Sequence, residues 1–111
     1  MVQYATLDRT LGAISDPTRR QILDRLSRGP ASITELARPL AMSLTGLKKH
    51  VRILEEAELV VTEKVGRTRS CRLGPSRLDD ASDWIEFYRK QWDSRLDGLE
   101  AYFEKKKGDE R

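Results

Sequence analysis

Residues 32–57 read SITELARPLAMSLTGLKKHVRILEEA, and the fold turns on how that stretch divides. Ser32 and Glu35 have the spacing of a capping box, in which each side chain satisfies the other's free backbone N–H and a helix begins. Pro39 keeps that helix short, because it has no N–H to donate and crowds the preceding turn. Ser43 is placed to cap a second helix, in which Leu44, Leu47, Val51 and Leu54 recur at three, four and three residues, through about Ala57. The pattern predicts two short helices joined by a tight turn at Ala41 and Met42, with that leucine and valine stripe facing inward.

Upstream, Tyr4, Leu7, Leu11 and Ile14 form the one-sided stripe of a short amphipathic helix. Asp16 is a good N-cap and Pro17 suits the first helical position, so another helix starts there and carries Ile22, Leu23 and Leu26 inward until Gly29-Pro30. Downstream the period changes. Leu59 to Lys64 and Arg69 to Leu73 are β-branched or alternating and flank Gly66-Arg67, which predicts a hairpin. After Gly74-Pro75 comes one long helical segment with apolar positions at Leu78, Ala81, Ile85, Tyr88, Trp92, Leu96, Leu99 and Phe103. Its roughly 40 Å of length exceeds what a small domain covers, so its stripe asks for a partner. Lys105-Lys106-Lys107 and the polar residues to Arg111 read as a flexible tail.

The chain has 111 residues and 12.7 kDa, 38% hydrophobic and 35% charged, which suits one small domain. The longest uncharged stretch, Pro39 to Leu47, is far too short for a membrane helix, and Asp8 and Arg9 interrupt any signal-peptide core. The expected location is the cytoplasm, with no membrane partner. Cys71 is the only cysteine and His50 the only histidine, which excludes an internal disulfide and most zinc modules. Charge is uneven: residues 1–75 hold 13 Lys and Arg against 8 Asp and Glu, whereas residues 76–111 hold 8 against 10. Six of the seven aromatic residues lie in the last third. A basic front suits a polyanion and an aromatic back suits protein contact.

With Leu47, Val51 and Leu54 inward, Thr45, Lys48, Lys49 and Arg52 fall on the outer face of the 43–57 helix, toward its amino-terminal half. Such cations reach phosphates or guanine edges, and the helix start at Ser43 offers backbone N–H groups to a phosphate. Lys64, Arg67, Arg69 and Arg72 lie on or beside the hairpin tip. Each set alone also fits a solvated surface or a guarded sheet edge. Together they describe a helix-turn-helix with a basic wing.

These residues resemble the arsenic-repressor (ArsR) family of winged helix-turn-helix transcriptional regulators. The likeness is carried by SDPTRRQIL at 15–23, by Met42-Ser43-Leu44 through Lys49-His50-Val51-Arg52-Ile53-Leu54-Glu55-Glu56-Ala57, and by Gly66-Arg67. Trp84-Ile85, Tyr88-Arg89, Trp92 and Arg95-Leu96-Asp97 look like a metal-free branch. The resemblance implies a mainly α fold with a small β-hairpin: one domain over 1–104, with dimerisation helices at 1–14 and 78–104, the helix-turn-helix at 32–57, the wing at 59–73, and a flexible tail at 105–111. It implies a homodimer joined through Leu7, Leu11, Ile14, Ile85, Tyr88, Trp92, Leu96 and Leu99. It implies double-stranded DNA as partner, with Thr45 and Lys48 on base edges and Ser43, Lys49, His50, Arg52, Lys64, Arg67 and Arg69 on phosphates. Three positions depart from the family pattern: Lys48 replaces a small polar reader, Leu44 a common glutamine, and Glu58 a glycine that follows the recognition helix. A left-handed Glu58 would carry about 1 kcal/mol of strain.

Metal sites of the family use paired cysteines in the third helix or Asp and His groups on the last. Here the third helix reads Glu35-Leu36-Ala37-Arg38-Pro39 and the last has no histidine, so no metal and no cofactor are expected. Trp84, Tyr88 and Trp92 are expected to pack at the interface, with an unidentified small-molecule effector as the alternative. No glycine-rich phosphate loop or nucleophile-and-base motif marks an enzyme. The expected function is a homodimeric repressor, often autoregulatory, that binds an inverted repeat. The rivals are a winged-helix protein adaptor and a sequence-blind DNA-coating protein.

Overall fold

A computed structural model describes residues 4–76 and 78–109. Expectations placed on residues 1–3, 77 and 110–111 lie outside them. The elements are α1 (Tyr4–Ile14), α2 (Pro17–Leu26), β1 (Ala31–Ser32), α3 (Ile33–Leu40), α4 (Leu44–Glu56), β2 (Val60–Val65), β3 (Thr68–Leu73) and α5 (Asp79–Asp109). The chain forms two compact units that divide after Ala81.

Three helices of the first unit start where their caps predict. Asp16, Ser32 and Ser43 accept hydrogen bonds from the N–H groups of Arg19, Glu35 and Gly46, each at 3.1 Å, which satisfies donors a helix start leaves free. Only half of the expected capping box forms: the Glu35 carboxylate lies 3.8 Å from Arg25 instead of returning to the Ser32 backbone. Ser32 belongs to a strand that the sequence pattern does not reveal. β1 pairs antiparallel with β3, Ala31 opposite Cys71 and Ser32 opposite Ser70, so the sheet has three strands in the order β1-β3-β2 rather than two.

The core of this unit joins Ile22 and Leu26 of α2, Leu36 and Ala37 of α3, Leu47, Val51 and Leu54 of α4, and Val60 and Cys71 of the sheet. Burying each large aliphatic side chain stabilises the fold by about 1.5–3 kcal/mol. Burial pushes the Cys71 thiol up to about 11, with the nearby Glu55 carboxylate adding to the effect. Leu44 departs from the expected stripe. It opens α4, 46% exposed, at a position where the core does not yet face the helix.

The end of α4 sets the base of the wing. Glu58 adopts φ of 60°, and the N–H groups of Glu58 and Leu59 donate back to the carbonyls of Glu55 (2.9 Å) and Leu54 (3.0 Å). This is a Schellman closure with glutamate in the left-handed position glycine favours. The Glu58 carbonyl accepts the Ser76 N–H at 3.0 Å. Gly74 passes so close that a Cβ there would stand 2.5 Å from the Glu58 carbonyl oxygen.

Leu78 sits in the left-handed region just before α5 and packs on the core, so it is not part of that helix as the periodicity suggests. α5 runs 31 residues to Asp109, through the lysines expected to begin a tail at 105. Lys106 and Lys107 in the last turn complement the negative end of the helix dipole and favour this continuation. Within the second unit, the Trp84 and Tyr88 rings meet one turn apart, tilted by 48° with centroids 4.6 Å apart.

Candidate nucleic-acid interface

At 3.6 residues per turn, placing Leu47, Val51 and Leu54 inward turns Thr45, Lys49 and Arg52 outward on α4. All three are exposed. Arg52 lies 3.6 Å from Glu56 one turn on, an exposed pair contributing about 0.3–0.5 kcal/mol and easily exchanged for a phosphate. Ser43 uses its hydroxyl oxygen to cap α4. Lys48 falls on the edge of the helix nearer the wing, and His50 on the edge nearer α2.

The wing is closed by Gly66-Arg67, with Gly66 at φ of 64° as a two-residue hairpin loop demands. Register decides which way its charges face. Lys64 stands directly opposite Arg69, and Thr62 opposite Cys71. Paired residues share a face and alternate residues return to it. Lys64 and Arg69 therefore share the face of the buried Cys71, which turns to the helices, and Thr62 on that face donates to Glu55 of α4 at 3.1 Å. Arg72, paired with Val61, lies on the opposite face and leaves this cluster.

Between the start of α3, the start of α4 and the wing tip runs a groove of about 210 Å³, lined by Ser32, Thr34, Leu44, Lys48, Arg67 and Arg69 among others. Among the described residues no acidic side chain lines it, and none of its three cations forms an ion pair. Three like charges gathered from two separate elements make a surface complementary to an anion. The structure thus brings Lys48, Arg67 and Arg69 together, and leaves Thr45, Lys49 and Arg52 as the adjoining outer face.

His50 is placed differently from the other cations. Its ring is part-buried, with Nδ1 3.2 Å from the Arg19 guanidinium and 3.9 Å from Asp16 Oδ2. The Arg19 N–H donated to Asp16 holds that carboxyl below the usual carboxylate range; desolvation opposes this, and the charges of Arg19 and His50 reinforce it. Sequence reasoning missed both α2 partners of His50. The only signal was their presence in the SDPTRR run.

Of the expected interface residues, Ile85, Tyr88, Trp92, Leu96 and Leu99 are exposed, Trp92 by 68%. Leu11 is half-buried, Ile14 packs on the core, and Leu7, 3% exposed, is already covered within the chain. Leu7 therefore has no free surface of its own to offer a partner. Among the described residues, no group of three His, Cys, Asp or Glu could hold a metal ion, and no helix is long and apolar enough to cross a membrane.

Residues 14–63 match the helix-turn-helix domain family. The HTH-type transcriptional regulator Rv2034 of Mycobacterium tuberculosis is 38% identical over 78 residues, covering 70% of this chain and 73% of that one. The transcriptional repressor SdpR of Bacillus subtilis is 30% identical over 90 residues, 81% of this chain and all of SdpR. Among solved structures, an ArsR family transcriptional regulator is 39% identical with a TM-score of 0.78, over 85% of this chain and 98% of that one. The homodimeric winged helix-turn-helix DNA-binding domain Mb0332 of Mycobacterium bovis, 22% identical, shares the fold with a TM-score of 0.62 over 84% of this chain and 83% of its own. A basic recognition helix, a basic wing and relatives of this kind lead to one assignment: the chain belongs to the ArsR family of DNA-binding winged helix-turn-helix transcriptional regulators.

Proposed function

We propose that this regulator is a homodimeric repressor that needs no metal and binds an inverted-repeat operator, acting at the chromosome in the cytoplasm. The carrying observation is the basic surface that runs from the outer face of α4 into the wing groove, where Lys48, Arg67 and Arg69 meet with no acidic side chain among the described residues of the lining. In this reading α4 lies in the major groove with Thr45 on a base edge and Lys49 and Arg52 on flanking phosphates. Lys48, which shares its groove with Arg67 and Arg69, takes backbone phosphate rather than a base. The exposed aromatic stripe of α5 supplies the two-fold contact, an assembly that the homodimeric Mycobacterium bovis domain supports. A symmetric dimer spaces its two recognition helices by about 34–36 Å, one turn of DNA.

Selection of bound duplexes from a random-sequence library at physiological salt, with the mass measured in solution, tests this. The expected product is an inverted repeat with half-sites one helical turn apart, bound by a dimer. On that duplex, Arg52→Ala weakens binding to all sequences and lowers the salt slope by about 1, whereas Thr45→Ala relaxes specificity at one position. Indiscriminate binding would point to a DNA-coating protein, and negligible binding to a protein adaptor.

A further inference from the structure

We propose that Arg19, on α2, is a positioning residue for DNA binding: it fixes the proton on the His50 ring and ties the recognition helix to the end of α1. The DNA-binding half of this proposal rests on the reading that α4 meets DNA. The geometry is specific. Arg19 Nε donates to the Ala13 carbonyl at 2.7 Å and Nη2 to the Gly12 carbonyl at 3.1 Å, both in the last turn of α1, while Nη1 reaches His50 Nδ1 at 3.2 Å. A guanidinium carries five N–H donors and no acceptor, and it keeps its charge throughout the working pH range. A neutral His50 must therefore accept at Nδ1 and hold its proton on Nε2.

Asp16 makes the choice consequential. Its Oδ2 lies 3.9 Å from the same Nδ1 and can only accept. With Arg19 present, the ring keeps Nδ1 as a lone pair and Nε2–H as a donor. With Arg19 removed, Nδ1 is free to take the proton and donate it to Asp16, and Nε2 becomes a lone pair that repels a phosphate oxygen. One α2 side chain thus decides whether the recognition helix offers a donor or an acceptor at His50. The same side chain neutralises the carbonyl end of α1, where a cation is electrostatically favoured.

His50 is the only histidine, so its ring nitrogens can be read without overlap in a long-range ¹H–¹⁵N spectrum of the full chain at pH 8. The wild type is expected to show a protonated Nε2 and an unprotonated Nδ1, and Arg19→Ala to move toward the opposite or averaged pattern. An unchanged spectrum in Arg19→Ala overturns the proposal without touching DNA binding. The affinity arm uses a duplex selected from the random library, with unselected random duplex as control. Arg19→Ala and His50→Ala should each weaken the selected duplex about tenfold, as expected for loss of a charge-assisted hydrogen bond, and the double variant little further. His50→Gln, whose amide both accepts from Arg19 and donates outward, should stay within about threefold of wild type. An additive double variant, or a His50→Gln as weak as His50→Ala, would show Arg19 to be merely structural. Thermal unfolding of each variant is followed alongside. If Arg19→Ala does not fold, Arg19→Met, which keeps the apolar stem and removes every donor, and the two His50 variants carry the same comparison. A wild type that binds neither duplex refutes the DNA-binding reading itself, with the spectrum still deciding the tautomer.

Discussion

Replacing Glu58 with glycine should make the protein more stable, although it deletes a side chain and adds no contact. Glu58 holds φ of 60°, a region that costs an L-residue about 1–2 kcal/mol. Glycine escapes that cost but is freer in the unfolded chain, which returns about 0.5–1 kcal/mol. The three hydrogen bonds at this corner, to Glu55, Leu54 and Ser76, involve backbone atoms only and survive the exchange. The net gain is about 0.5–1 kcal/mol. With an unfolding entropy of about 2.1 cal/mol/K per residue over 111 residues, Tm should rise by about 2–4 °C. The assay is thermal unfolding by circular dichroism at one fixed protein concentration, since any oligomer makes Tm concentration-dependent. Glu58 lines a small hollow with Asp79 and Asp80, so losing its charge could also stabilise. Glu58→Ala controls for this because it removes the carboxylate and keeps the strained Cβ. A rise in Glu58→Ala equal to that in Glu58→Gly, or no rise in Glu58→Gly, would refute the strain argument.

The mirror experiment is Gly74→Ala. Its Cβ would meet the Glu58 carbonyl oxygen at 2.5 Å, with backbone on both sides unable to yield, so urea unfolding should show a loss of about 1–3 kcal/mol; an unchanged midpoint would refute the close approach. Cys71, with its thiol pushed up to about 11, should resist thiol reagents at pH 8 and react only as fast as the protein opens. Because the folded value lies above the unfolded value of about 8.5, its contribution is present below that pH and is lost as pH rises toward 11. Asp16 has the opposite sign: its carboxyl is lowered by the Arg19 N–H, so it stabilises above the unfolded carboxylate range and ceases to do so as pH falls through its folded value. Asp16→Asn should therefore flatten the acid limb of a stability-against-pH curve, and an unaltered limb would remove Asp16 from that role. Trp92→Glu puts a charge into the exposed stripe of α5 and should give a monomer in sedimentation; a dimer of unchanged affinity would relocate the interface.

What the sequence displayed most legibly was local. Asp16, Ser32 and Ser43 lie within three residues of the N–H groups they accept, so a short window holds the whole interaction. The buried stripe of α4 and the Gly66 turn are legible for the same reason. The misses are non-local or sit at boundaries. β1 is two residues long, too short to show alternation, and exists because β3 arrives from forty positions away. The ties of His50 to Asp16 and Arg19 cross more than thirty residues, and no spacing rule connects them. Leu44 satisfies the helical period yet stands at the first turn, beyond the reach of the core. The lysines at 105–107 look like a polar tail when judged by composition, and like a stabilised helix end when judged against the dipole. Among the candidate site residues, the outward set on α4 follows from periodicity, but the grouping of Lys48 with Arg67 and Arg69 needed the folded wing.

The pairing of Lys64 with Arg69 also limits how this regulator can change over generations. Side chains alternate along a strand, so one extra codon between Thr62 and Glu63 would carry Glu63 into the place of Lys64, opposite Arg69, and swing the lysine away from the helices. A wing of this kind can drift by substitution, or grow two residues at a time, but a single-residue insertion in β2 puts a carboxylate where the lysine stood opposite Arg69. Length differences among wings that keep the same polarity should therefore fall in even numbers within the strands, or be confined to the turn at Gly66-Arg67.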